Sequence, residues 1–192
     1  MRWFIAISMA AVVCVLAYLA LAWFSLEQLV AAARRQDGAR LLQLTDVPRV
    51  RHSLVDQIIT AYLHKIGAIR PVKPFERMAI ETFGASIADE VVIKLTTADN
   101  LSALLGAGVV RDAANSLDFG TMPALASFNI SNPADALKQM HPVKPVEFSL
   151  QIGADPSAGS ISMHFEGQQW KLSGINLPAA AISKLVERLP AR

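Results

Sequence analysis

The chain has 192 residues, a net charge of only +2 and a single cysteine, Cys14. One cysteine excludes a disulfide framework and a thiolate metal site. A charge balance with neither a dense basic stripe nor a stacking platform of aromatics excludes a nucleic-acid binder.

The first element is Trp3 to Phe24, an uncharged run whose only serine or threonine is Ser8. As a helix rising 1.5 Å per residue it crosses a hydrocarbon core of roughly 30 Å. Its ten Leu, Ile, Val and Phe residues favour insertion by about 3 to 6 kcal/mol. A cleaved signal is the competing reading, with Arg2 as n-region and Ala20-Leu21-Ala22 as the cleavage site. Cleaved signals have shorter apolar cores, and Trp3 and Trp23 stand where interfacial aromatics of a spanning helix belong. The lipid bilayer, met through residues 3–24, is therefore the first expected partner. Cys14 lacks a lipobox before it and reads as a small lipid-facing residue. Ala6, Ala10, Ala17 and Ala20 form a small-residue stripe of the kind that lets helices pack, although an alanine-rich segment produces one by chance.

Positive charge lies on both sides, Arg2 before the run and Arg34, Arg35 and Arg40 after it. A very short positive N-terminal tail normally stays inside, and long domains cross regardless of charge. The bulk of the chain is expected outside the cytoplasm. About 168 residues follow, enough for one domain with a core. From Arg34 to Arg77 nine Lys/Arg face four Asp/Glu, a net of +5. From Glu81 onward eight face eleven, a net of −3. A solvated helical face explains the basic part better than headgroup binding, since no run of like charges occurs.

Ser25 is expected to cap a continuation of the helix through Leu26, Leu29, Val30 and Ala33, with Gly38 breaking it. A short helix over Leu41 to Leu44 follows. Asp46 then caps a third helix, with Pro48 in its first turn and Val47, Val50, Leu54, Ile58, Tyr62 and Ile66 on its buried face. Arg51 interrupts that face. It reads either as the cation of a structural ion pair, with Asp37, Asp46 and Glu27 nearest in sequence, or as an arginine whose head snorkels to water.

Gly67 to Pro74 connects to a helix from Phe75 to Leu95, expected to bury Ile80, Phe83, Ile87, Val91 and Leu95. Thr97 or Asp99 caps a short helix that Gly106-Ala107-Gly108 ends. Residues 109–145 carry no clean period beyond a helical stretch at Pro133 to Met140. From Val146 the period becomes two: Val146, Phe148, Leu150 and Ile152, then Ile161, Met163 and Phe165, then Trp170 and Leu172. The phase shifts at Gly174 as at a bulge. An antiparallel meander of three to four strands follows, one face buried and one wet, closed by a helix from Pro178 through Ile182, Leu185, Val186 and Leu189. The fold class is α+β: a transmembrane helix (1–24) and one soluble domain (25–192).

The segments LVAAARRQDGARLLQLTDVPRVRHSLVDQ, VVIKLTTADNLSALLGAG and WKLSGINLP resemble a group of bacterial membrane-anchored proteins known as domain of unknown function 2939. The likeness rests on Asp46, Pro48, Val50 and Arg51, on the threonine-led short helix, and on the tryptophan-to-proline last strand. Ala98 stands where the group usually has proline. The resemblance implies a Gram-negative envelope protein and brings no catalytic residue.

No cofactor motif is present. Gly84-Ala85-Ser86-Ile87-Ala88 lacks the closing glycine of a nucleophile elbow, and Gly106-Ala107-Gly108 is too short for a dinucleotide fingerprint. His52 and Asp56 sit at i, i+4 without a third metal ligand, and His164 falls on the wet strand face. No catalytic residue and no metal are assigned. The reading preferred is a non-enzymatic, membrane-tethered module that binds or scaffolds an envelope protein in the inner membrane, facing the periplasm. A lipid or small-molecule carrier comes second, with Phe83, Phe148, Met163, Phe165 and Trp170 lining an apolar pocket between helices and sheet. A hydrolase or metalloenzyme comes third.

Overall fold

A computed structural model describes residues 2–112, 117–130, 136, 138–153 and 155–187. The first helix, α1 (Arg2–Arg34), is a single rod of 33 residues. Its described side chains from Ile7 to Ala17 are exposed on every side, whereas Ala22, Ser25, Leu26, Leu29, Val30 and Ala33 are buried. The period of three and four expected beyond the apolar run is present, but Ser25 caps nothing. It sits inside the unbroken rod, and its Oγ accepts the backbone N–H of Trp170 at 3.4 Å. At the far end the Arg34 guanidinium donates to the carbonyls of Ala126 (2.9 Å) and Phe128 (2.8 Å).

The rod ends before Gly38. Gln36 takes the left-handed conformation (φ 53°), and Asp37 caps α2 (Gly38–Gln43) by accepting the Arg40 N–H at 2.9 Å. Gly38 serves a different purpose from the expected break: a Cβ there would lie 2.4 Å from the Ala98 carbonyl oxygen. Residues 44–46 then run beside the sheet, where Leu172 N–H donates to Leu44 and Asp46 N–H to Leu172, at 2.9 and 2.8 Å. Asp46 caps α3 (Val47–Ile69) as expected, accepting Arg49 N–H at 3.2 Å, and Val50, Leu54, Val55, Ile58 and Ile59 are buried.

The next helical stretch is α4 (Pro74–Ala79), a π turn at Ile80–Gly84 and α5 (Ala85–Leu95). A π turn carries one residue more than an α turn and so rotates the face beyond it. Burial passes to Ala88, Val92 and Leu95. Phe83 and Ile87, expected inside, are exposed, Phe83 by 73%. Thr97 caps α6 (Ala98–Ser102), accepting Asn100 N–H at 3.4 Å. A second π turn, Ala103–Ala107, ends on Gly108 in the left-handed region (φ 71°).

The stretch without a clean period contains a hairpin, β1 (Val109–Asp112) and β2 (Leu117–Thr121). Half of the expected Pro133–Met140 helix lies outside the described residues; Ala136, Lys138 and Gln139 are helical, and Met140 already pairs with Leu150. The meander is four-stranded and antiparallel in the order β3 (Met140–Lys144), β4 (Glu147–Gln151), β5 (Ser160–Glu166), β6 (Gln169–Asn176). The β5–β6 register shifts between Ser162 and Met163, which leaves Ser173 as the extra residue of the bulge read at Gly174. A closing helix, α7 (Ala179–Glu187), buries Ala181, Leu185 and Val186. Leu189 lies outside the described residues. The architecture is the α+β one expected, except that the second sheet face is not wet throughout. The helix α3 packs against β6, and Gln57 ties the two by donating to the Ile175 carbonyl (2.7 Å) and accepting Leu177 N–H (3.0 Å).

Gly38→Ala forces a methyl into the Ala98 carbonyl. It should lower unfolding stability of the detergent-solubilised chain by about 1–3 kcal/mol, read from urea midpoints. An unchanged midpoint would mean that α2 and α6 separate freely.

Candidate functional site

An apolar recess lies between α3 and the α4–π–α5 arm. Ile59, Tyr62 and Ile66 form one wall, and Ala79, Ile80, Phe83, Gly84 and Ile87 the other, around about 340 Å³. The π turn creates it, because without the extra residue Phe83 and Ile87 would face inward. Gly84 lets the arm come close, since a Cβ there would meet Ile59 Cδ1 at 2.9 Å. Arg70 and Glu76 close one end as an ion pair, with Nη1 donating to Oε2 at 2.8 Å. Hydrogen bonding from Arg70 holds the Glu76 carboxyl below the usual carboxylate range. Phe75 and Met78 on the same arm are also exposed.

Of the five residues expected to line a pocket, Phe83 alone lies on this recess. Phe148, Met163 and Trp170 are buried in the core, and Phe165 is half-buried. The rings of Phe148, Phe165 and Tyr18 pack around Trp170, at centroid distances of 4.9, 5.6 and 5.2 Å. Those four residues fill the space between α1 and the sheet. They do not line the recess.

Arg51 is a paired cation, but its partner is none of its sequence neighbours. Its Nη2 donates to both carboxylate oxygens of Asp89 on α5, at 3.0 and 2.9 Å. Asp37 and Asp46 are occupied as helix caps. The bridge stays half-exposed and braces the arm against α3 behind the recess. Surface pairs of this kind contribute about 0–1 kcal/mol. In a double-mutant cycle on the full chain, Arg51→Met and Asp89→Asn should each cost at most about 1 kcal/mol. The double variant should cost no more than the larger single one. Additive losses would show that the two side chains act separately.

A polar cluster that the sequence did not single out lies where α3 begins over the sheet. His164 is 5% exposed rather than on a wet face, because the first turn of α3 covers that side of β5. Its Nε2 lies 3.7 Å from Asp46 Oδ2, and its Nδ1 is buried without a hydrogen-bond partner. Asp46, His164 and Glu166 each offer a ligand atom within 4.8 Å of the others, so these residues could hold a metal ion. Their charges are already balanced, by Arg49 on Asp46 (3.2 Å) and Lys171 on Glu166 (2.9 Å), and an ion would have to displace both cations. His164 and Glu166 alternate onto one strand face, which was the available signal; the approach of Asp46 was not legible. His52 and Asp56 do pair, at 3.4 Å, with both side chains largely exposed.

Burial, and then the nearby Arg49 charge, push the His164 pKa below its ordinary 6.5, against the smaller opposing pull of Asp46, Glu166 and Glu147. The fold therefore favours the neutral imidazole. That stabilisation is complete above about pH 6.5 and is lost as pH falls through the lowered folded value. Thermal unfolding of the wild-type chain should lose more on acidification below pH 6.5 than that of His164→Gln. Parallel curves would show a solvated histidine.

No curated protein and no solved structure matches the chain. The family model described as protein of unknown function DUF2939 matches residues 11–104. The matched stretch runs from within α1 to the second π turn. It holds the Arg51–Asp89 bridge and every residue of the recess, and it stops before the sheet and the WKLSGINLP segment. Over these residues, just under half of its length, the chain is similar to the DUF2939 family of proteins of unknown function.

Proposed function

We propose that the chain is a single-span protein of the bacterial inner membrane whose globule, on the periplasmic side, is a non-enzymatic docking module for a second envelope protein. The observation that carries the reading is the recess beneath the π turn. Phe75, Met78, Phe83 and Ile87 are held out to solvent along one arm, and burying a side chain of this size is worth about 1.5–3 kcal/mol. Contiguous apolar surface of that kind marks a binding face. A partner helix that lays its apolar side along the arm, with a polar residue near Arg70 and Glu76, fits its length and chemistry.

Several observations support the setting. One N-terminal helix, Ile7–Arg34, is long and apolar enough to span a membrane. The polar cluster around His164 is neutralised by the chain's own cations, which supports a role without catalysis. A second reading has one observation of its own: a volume of about 340 Å³ lies in the range of small-ligand sites, so an acyl chain would also fit.

Photo-crosslinking in intact cells separates the two. Benzoylphenylalanine in place of Phe83 should give a discrete protein adduct, and the same probe in place of Ser127, outside the recess, should not. A lipid adduct would transfer the reading to the carrier. Identical patterns at the two positions would overturn both.

A further inference from the structure

The apolar rod and the globule overlap. Every described side chain of α1 from Ile7 to Ala17 is exposed, and Tyr18 is the first that the domain partly covers. Trp3 to Ala17 spans about 22 Å, some 8 Å less than a hydrocarbon core. Trp3 to Trp23 spans about 30 Å, the full thickness. Beyond Ala17 one side of the rod remains lipid-like: Leu19, Leu21 and Phe24 are exposed, while Tyr18 and Ala22 on the other side carry the sheet. A bilayer that covers the exposed apolar side up to Trp23 must therefore reach past the level of Tyr18.

The β3–β4 turn sits at that level. The Tyr18 hydroxyl donates to the Pro145 carbonyl at 2.5 Å. Around it Val143 and Val146 are 55% and 50% exposed. Lys144 lies between them, 3.5 Å from Glu147, on a stem long enough to carry its ammonium to the headgroups. The strand β3 is the free edge of its sheet, and edges are excluded from lipid by their unpaired N–H groups. Here Pro142 and Pro145 have no N–H to leave unpaired, and the Pro145 carbonyl is already bonded.

We propose that the β3–β4 turn is a second membrane contact: Val143, Pro145 and Val146 enter the interface of the leaflet from which α1 emerges, seating the globule on the bilayer. This rests on the reading that α1 spans a membrane. It adds that the domain does not swing on a free tether.

The two ideas fail separately in one experiment. The full chain is reconstituted into phosphatidylcholine–phosphatidylglycerol vesicles with an environment-sensitive NBD label at one cysteine: native Cys14, or Val146→Cys or Val143→Cys in a Cys14→Ser background. Ser127→Cys in that background is the distal control. It neighbours the carbonyls that Arg34 holds, sixteen residues along the rod from Tyr18, or about 24 Å away. Quenching is then measured with lipids spin-labelled deep in the acyl chain for position 14, and near the headgroup for positions 146 and 143, with position 127 tested against both. The labels at 14 and at 146 or 143 should be quenched several-fold more than the label at 127. Quenching at 14, with 146 and 143 no different from 127, would overturn the second contact and leave the span intact. No quenching at 14 would overturn the span, and the contact with it.

Discussion

One helix has to satisfy two surroundings, and the rest of the structure depends on how it does so. An α-helix closes its own backbone hydrogen bonds, so α1 can leave an apolar medium and enter a protein core without a break. Only its side chains change duty. Uncharged and exposed from Ile7 through Ala17, they narrow to one stripe, Ala22, Ser25, Leu26, Leu29, Val30 and Ala33, that the domain covers. The globule is built on that stripe. Trp170 reaches it through Ser25 and through its ring against Tyr18, and Arg34 fixes the upper end through two carbonyls.

Helix and strand periods were legible because they depend on neighbours three, four or two residues away. The Asp46 cap, the buried face of α3 and the alternation of β4 stand as the residues imply. The features that could not be read involved a distant partner or a change of phase. The π turn at Ile80–Gly84 inserts a residue and turns Phe83 outward, and nothing in a tally of apolar positions reveals it. Asp89 finds Arg51 across 38 positions. His164 is buried by a helix start that precedes it by more than a hundred residues.

The recess and the polar cluster share α3 but differ in what they leave unfinished. Around His164 every carboxylate has a cation, and the cost of burial falls on one imidazole nitrogen and on the proton it declines. Along the arm Glu76 and Asp89 are paired, while Phe75, Met78, Phe83 and Ile87 stand exposed.

The bridge between Thr45 and Leu172 joins the beginning of the domain to nearly its last strand. Synthesis delivers the helices long before Gln169–Asn176, the strand against which both α1 and α3 rest. The family-matched part thus has no finished surface of its own while the chain is being made, and its apolar stripe stays uncovered until the sheet closes over it. Order of manufacture and order of assembly are opposed in this molecule: the portion made first is completed last.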